Sequence, residues 1–117
     1  MNIEQYREYC ISKPGVTEEL PFGPDVLVFK VMNKMFALAP LEDFVSMNLK
    51  CDPEEAVRLR AEYDAVIPGY HMSKTHWNTV MLDGTVPEKL LYKWIDDSYD
   101  LIVKSLPIKL KEELANL

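Results

Sequence analysis

The sequence predicts an α+β domain in which a meandering sheet is covered by helices on one face. Three segments rich in β-branched and aromatic residues follow one another closely between residues 26 and 50. Their short connections favour antiparallel pairing. Segments with helical periodicity stand before and after them. The predicted order of elements is α-β-β-β-α-β-β-α-α, in one domain that spans residues 1–117.

A helix is expected over residues 2–12, where Ile3, Tyr6 and Cys10 fall on one stripe. The Pro-Gly pair at residues 14–15 ends it. The following "TEELPFGPD" contains two prolines and a glycine, so we predict a turn-rich loop. Phe22 in this loop either covers the sheet as a plug or is an exposed contact, and we favour the plug.

Three strands are predicted at residues 26–31, 35–39 and 44–50, with a short turn at Asn33–Lys34 between the first two. The third strand alternates strictly, so its residues divide between the two faces of the sheet. One face receives Val45, Met47 and Leu49, and the other receives Phe44, Ser46 and Asn48.

The next helix has a clear start signal in "DPEEAVRLRAEY". Asp52 can cap it, Pro53 fits the first turn, and Glu55 completes a capping box. The residues expected on its buried stripe are Ala56, Leu59 and Tyr63.

A strand over residues 76–82 precedes the longest predicted helix, which begins with a capping box from Thr85 to Glu88 and ends before Pro107. Ser98 lies on its apolar face, where its hydroxyl can bond to the carbonyl one turn earlier. A short helix over 108–116 follows. The apolar face comprises Leu91, Trp94, Ile95, Ile102 and Leu106, and we expect Trp94 to be a core residue.

The net charge and the cysteine content limit which partners and which cellular compartment are expected. The net charge of −6 opposes nonspecific binding to nucleic acid, although residues 65–82 contain no acid and are compatible with an anionic partner. Cys10 and Cys51 are isolated, and no segment is long and apolar enough to span a bilayer. We expect a soluble cytoplasmic protein with two reduced thiols and no disulfide.

The segment "PGYHMSKTHW" holds both histidines, His71 and His76. They are five residues apart, so on a helix or a strand their rings point in different directions, and only a loop could bring both to one ion. No cysteine or acid lies nearby to complete a ligand set, so no metal site is expected, and the two histidines are expected to form hydrogen bonds that order their loop. Ser73 next to them lacks a base held by a third group. Glycine-rich phosphate loops and hydrolase motifs are missing from the sequence, which predicts neither a cofactor nor enzyme activity.

Several motifs together resemble the MmcQ/YjbR family of small bacterial proteins. They are "LPFGPDVLVFKVMNKMFALA", "NLKCDPEEAVRLR", "VIPGYHMSKTHWNTVMLDGTVPEKLL" and "DDSYDLIVKSLP", in unbroken order. The resemblance implies a CyaY-like fold and a DNA-binding role through hairpin wings, with no catalytic residues. The residues that match its motifs are Phe22, Lys34, Lys50, His71, Lys74, His76 and Trp77.

In the DNA-binding interpretation the cationic members of this set contact phosphates and Trp77 braces its strand. Lys34 and Lys74 are then the main phosphate contacts, binding is weak and nonspecific, and the protein is a monomer. A continuous positive stripe that joins Lys34, Lys50 and Lys74 would favour this hypothesis.

Two other hypotheses remain open. An exposed apolar patch on the free face of the sheet would favour a protein-interaction or small-ligand adaptor. A pocket that holds both histidines and a distant carboxylate would favour an enzyme.

Overall fold

In residues 1–70 and 72–117, which the computed structural model describes, a six-stranded antiparallel sheet forms the centre of the molecule. The strands are β1 (Val16–Glu19), β2 (Val26–Val31), β3 (Lys34–Pro40), β4 (Ser46–Lys50), β5 (Val66–Pro68) and β6 (Trp77–Met81). They lie side by side in the order β1-β2-β3-β4-β6-β5. The helices are α1 (Ile3–Ile11), α2 (Pro53–Glu62), α3 (Glu88–Ser105) and α4 (Ile108–Ala115).

The α+β class and the helix-covered sheet are confirmed. Helix α3 packs against β2, β3 and β4, and the predicted apolar face of this helix is buried along its whole length. The sheet residues that meet the helices alternate along their strands, as a half-buried sheet requires. They include Leu27, Phe29, Val31, Met47, Leu49 and Val80. No helix within the described residues is long and apolar enough to cross a membrane. The CyaY-like type stays a prediction.

Strand β1 lies in the segment that the sequence predicts as a loop. It pairs with β2 from Val16, which is opposite Val31, to Glu19, which is opposite Val28. Two successive glutamates are poor strand formers, so the pattern did not indicate a strand. In the structure both carboxylates are used at this edge, because Glu18 accepts two hydrogen bonds from Arg7 and Glu19 pairs with a lysine of β2.

The turn between β2 and β3 comes one residue earlier than predicted, at Met32–Asn33. These residues have φ values of 48° and 70°, and positive φ at both central positions is the mark of a tight hairpin turn that matches the strand twist. Lys34 is consequently the first residue of β3 and not part of the turn.

Strand β4 begins at Ser46, two residues later than predicted. The alternation of Met47 and Leu49 toward the core is confirmed. Phe44 and Val45 were expected to alternate as part of the strand. This expectation is wrong, because both residues precede the strand and do not follow its alternation. Phe44 packs on Tyr6 with ring centroids 5.0 Å apart, and Val45 is exposed.

The helix starts are confirmed only in part. The Asp52 carboxylate accepts a hydrogen bond from the backbone of Glu55, as predicted for α2. The Glu55 side chain pairs with Arg58 instead of closing the box. A reciprocal capping box that was not predicted is present at α1, between Asn2 and Gln5.

The predicted capping box at the start of α3 is wrong. The helix begins at Glu88, and the Thr85 hydroxyl donates a hydrogen bond of 2.6 Å to the Asp83 carboxylate. Asp83 and Thr85 thus form a local turn before the helix, which is an alternative that short polar side chains often take.

Ser98 is fully buried on the predicted face of α3, but its hydroxyl does not bond within the helix. It accepts a hydrogen bond of 2.9 Å from the Lys50 N–H and donates one of 2.6 Å to the Phe36 carbonyl. Phe36 precedes Ala37 and Lys50 follows Leu49, so both lie just beyond the Ala37–Leu49 pair at which the β3–β4 ladder ends. The hydroxyl therefore bridges the two strands where their own pairing stops.

Two tyrosine hydroxyls in the core have opposite hydrogen-bonding states. The Tyr6 hydroxyl is buried and has no partner among the described residues, whereas the Tyr99 hydroxyl donates to the Pro14 carbonyl at 2.6 Å. Burial without a partner costs free energy, and a made hydrogen bond stabilises by roughly 1 kcal/mol.

We therefore expect Tyr6→Phe to raise the free energy of unfolding by about 1 kcal/mol. The matched variant Tyr99→Phe should lower it by about 1 kcal/mol, because the Pro14 carbonyl loses its donor. Urea unfolding followed by circular dichroism measures both. A loss of stability in Tyr6→Phe as large as that in Tyr99→Phe would show that the Tyr6 hydroxyl has a partner.

Candidate functional site

The candidate site covers the face of the sheet that points away from the helices and the adjoining β2–β3 hairpin end, where Ile102 and Ser105 of α3 also contribute. Phe29 and Val31 of β2 face the core, so Lys30 between them points to the open face. The same alternation in β4 sends Lys50 to the open face, because Leu49 is a core residue.

The strand register then places these side chains in one row across the sheet. Lys30 is opposite Met35 in β3, and Lys50 is opposite Trp77 in β6. The Lys50 ammonium lies 6.0 Å from the centre of the Trp77 ring, at the outer limit of a cation–π contact. Trp77 is buried, which agrees with the expectation that it braces its strand.

This row forms part of a depression that we call the cationic groove. It encloses about 550 Å³ at the hairpin end of the sheet. Its lining residues are Pro21, Phe22, Lys30, Asn33, Lys34, Met35, Lys50, Trp77, Ile102 and Ser105. Lys34 and Lys50 both line this groove, whereas Lys74 does not, so the groove does not contain the continuous stripe through all three lysines that would favour DNA binding.

Lys30 was not predicted as a site residue. Its position between two apolar strand residues could have indicated that it points to the open face. The charge of Lys30 is partly offset, because its ammonium pairs with the Glu19 carboxylate at 3.2 Å. In the described part of the chain, Lys34 and Lys50 form no ion pair. These two lysines therefore supply the available positive charge of the groove.

A second depression, the apolar groove, occupies the middle of the same face and encloses about 460 Å³. It is lined by Phe22, Val26, Leu38, Ala39, Pro40, Ser46, Asn48, Tyr70, Met72 and Thr79. Phe22 borders both grooves and its side chain is 62% exposed. The prediction of a plug is wrong, because Phe22 is exposed; its role as a contact stays a prediction.

The loop after β5 forms one wall of the apolar groove and is held from both ends. The Gly69 N–H donates to the Trp77 carbonyl at 2.8 Å, and a Cβ on Gly69 would lie 2.7 Å from the Cβ of Trp77. Arg60 donates to the Lys74 carbonyl and to the Asn78 side chain. The backbone of Lys74 is therefore fixed beside β6.

His76 is exposed in this loop, and its backbone takes part in ordering it. Its N–H donates to the Ser73 carbonyl, and its carbonyl accepts from the Cys51 N–H at 2.8 Å. His71 lies outside the described residues, so its predicted roles in binding and in ordering the loop stay predictions. No cluster of three or more potential metal ligands occurs in residues 1–70 and 72–117.

A smaller cavity of about 210 Å³ lies between α2 and α3 and is lined by Cys51, Trp94 and Asp97 among others. Burial, followed by the nearby Glu55 and Asp52, raises the pKa of Cys51 to about 11. Burial raises the pKa of Cys10 to about 12. Both thiols are free and are protonated at neutral pH, so neither is prepared to act as a nucleophile.

Comparisons with known proteins define the class. The family model YjbR matches residues 11–101. The chain is 34% identical to the uncharacterised protein YjbR of Escherichia coli K12 over 118 residues, which cover all of both proteins. It is 36% identical over 104 residues to the uncharacterised protein YbdF of Escherichia coli O157:H7, with 88% of this chain and 85% of the relative covered.

Solved structures agree with these sequence matches. A Deinococcus radiodurans protein with the DUF419 domain superposes with a TM-score of 0.89 at 38% identity, over 97% of this chain and 88% of that protein. A Pseudomonas syringae protein superposes with a TM-score of 0.72 at 31% identity, over 86% of this chain and 98% of that one. The chain belongs to the YjbR family.

Proposed function

We propose that this protein is a non-enzymatic, cytoplasmic monomer that binds DNA weakly and without sequence preference through its cationic groove. The observation that carries this proposal is the convergence of Lys34 and Lys50 on one groove, beside Lys30 and Trp77. Ammonium groups on long flexible side chains suit phosphate contacts, which position DNA without reading its bases.

The charge of the whole chain limits the strength of this binding. With a net charge of −6 and two unpaired lysines in the groove, the protein can make few phosphate contacts. Each contact contributes to the salt dependence of the binding constant, so affinity should be low and the salt slope shallow.

The experiment is a titration of labelled duplex DNA at several salt concentrations. We expect Lys34→Gln/Lys50→Gln to weaken binding at low salt and to flatten the log–log salt slope by about 1.8 units, because two phosphate contacts are lost. Glutamine removes the charge and keeps a polar side chain that is one atom shorter than lysine.

The matched control is Lys89→Gln/Lys93→Gln, which removes the same charge from the exposed face near the start of α3. Its slope should equal that of the wild type. Wild-type protein that fails to bind duplex at low salt would overturn the proposal. Equal slopes in the groove variant and the wild type would place DNA binding outside this groove.

A second candidate function, a small-ligand adaptor, is favoured by the apolar groove. Its volume of about 460 Å³ falls within the range of small-molecule sites, and apolar side chains dominate its lining. Exposed Phe22 at its border leaves apolar surface in contact with solvent, which is more typical of a binding surface than of a finished core.

A further inference from the structure

We infer that the apolar groove binds a small amphipathic carboxylate, with its apolar body over Leu38 and Pro40 and its carboxylate beside Lys50. This inference rests on the second candidate function, and it specifies the chemistry of the ligand. It depends on three features of the open face: an apolar floor, a strip of polar groups that bond to one another, and a charged end.

The apolar floor comes from the strands β2 and β3. Val26 is opposite Pro40, and both line the groove together with Leu38, while Val28, opposite Leu38, is fully buried beneath it. Phe22 and Met72 line the same groove from the loops on either side. Such a surface gains free energy by excluding water from an alkyl or aryl group.

The polar groups beside this floor already form hydrogen bonds with one another, so a ligand does not have to supply partners for them. The Thr79 hydroxyl donates to the Asn48 side-chain oxygen and accepts from the Tyr70 N–H at 3.0 Å. The Asn48 amide donates to the Tyr70 carbonyl at 3.4 Å. Since these groups already bond to one another, an apolar chain can lie across them without leaving many buried polar atoms unpaired.

The charge lies at one end of the groove. Ser46 and Lys50 both face the open side of β4, and four residues separate them, which is roughly 13 Å along a strand. Phe22 borders both grooves, so the apolar groove adjoins the lysines. Among the described residues, no aspartate or glutamate lines either groove. A ligand with an anionic head and a medium-length apolar body complements this arrangement.

A single small anion also suits the acidic chain better than a polyanion does. The net charge of −6 opposes the approach of a molecule with many phosphates, but solvent screens charges beyond about 8 Å at physiological salt. The electrostatic energy of a single carboxylate at Lys50 is therefore determined mainly by the neighbouring lysines.

The test uses decanoate as the probe and decanol as its uncharged counterpart, both below self-association, in a titration of the ¹⁵N-labelled protein by NMR. We expect saturable shifts at groove residues such as Leu38 and Met72, and tighter binding of decanoate than of decanol. Lys30→Gln/Lys50→Gln should lower the affinity for decanoate about tenfold, which corresponds to the loss of one charge-assisted hydrogen bond. The affinity for decanol should not change. The control Lys89→Gln/Lys93→Gln should bind both probes as the wild type does.

Equal affinities of decanoate and decanol in the wild type would overturn the anionic preference while keeping the groove as an apolar site. Failure of both probes to bind would overturn the inference and the adaptor function together. Met72→Ser separates this inference from the DNA proposal, because Met72 lines the apolar groove but not the cationic groove and the substitution changes no charge. It should lower the affinity for decanoate and leave the salt slope of DNA binding unchanged.

Discussion

Trp94→Ala should lower the free energy of unfolding by about 3–5 kcal/mol, because it leaves a large cavity in the core. Trp94 is 7% exposed and belongs to the main core cluster. Its ring meets Tyr63 edge to face, with centroids 5.2 Å apart. The expected loss is a large share of the roughly 5–15 kcal/mol that stabilises a typical domain.

Guanidinium unfolding followed by far-ultraviolet circular dichroism measures this effect without relying on tryptophan fluorescence. Lys93→Ala, one residue earlier on the exposed side of α3, is the matched control. It loses only an exposed ion pair with Asp97 and should change the free energy by less than about 0.5 kcal/mol. A Trp94→Ala protein within that same margin of the wild type would contradict the packing of α3 described above.

Ser98→Ala is expected to lower the free energy of unfolding by about 2–4 kcal/mol, although it removes a single oxygen atom. The hydroxyl serves both the Lys50 N–H and the Phe36 carbonyl, at 2.9 Å and 2.6 Å. Since Ser98 is fully buried, water does not replace it readily, and two backbone groups are left without a partner.

Ser105→Ala on the same helix is the control, because among the described residues its hydroxyl bonds only to the Ile102 carbonyl one turn earlier. It should cost less than about 0.5 kcal/mol. Hydrogen exchange adds a local readout, since the Lys50 amide should exchange faster in Ser98→Ala. Unchanged exchange at Lys50, or equal stability of the two variants, would show that the bridge between β3 and β4 is not held by Ser98.

Local patterns predicted the helices well. The stripe of α3, from Leu91 through Trp94 to Ile102, is buried as its periodicity requires. Periodicity works here because one residue's neighbours on the same face lie only three or four positions away. The cap at Asp52 is equally local and is confirmed. The box at Thr85 was wrong because Asp83, only two residues away, accepts the hydrogen bond of its hydroxyl.

Elements that depend on distant partners were harder to predict. β1 exists because Val16 to Glu19 find hydrogen bonds along β2, and its own residues are weak strand formers. The hydroxyl of Ser98 faces sheet backbone 48 and 62 positions away, so local bonding within the helix was the wrong expectation. Phe22 was misjudged for the same reason, since exposure of a loop residue depends on what the fold places beside it.

By itself, the sequence determined the buried stripe of α3 and the side of β4 that Met47 and Leu49 take, because periods of 3.6 and of two residues are properties of the local backbone. It also determined the family, through motifs spread along the chain. Only the tertiary structure decided that Lys30, Lys34 and Lys50 share a groove and that Lys74 does not. Alternation places a lysine on a face, but the neighbours across that face depend on strand order and register, which distant residues establish together.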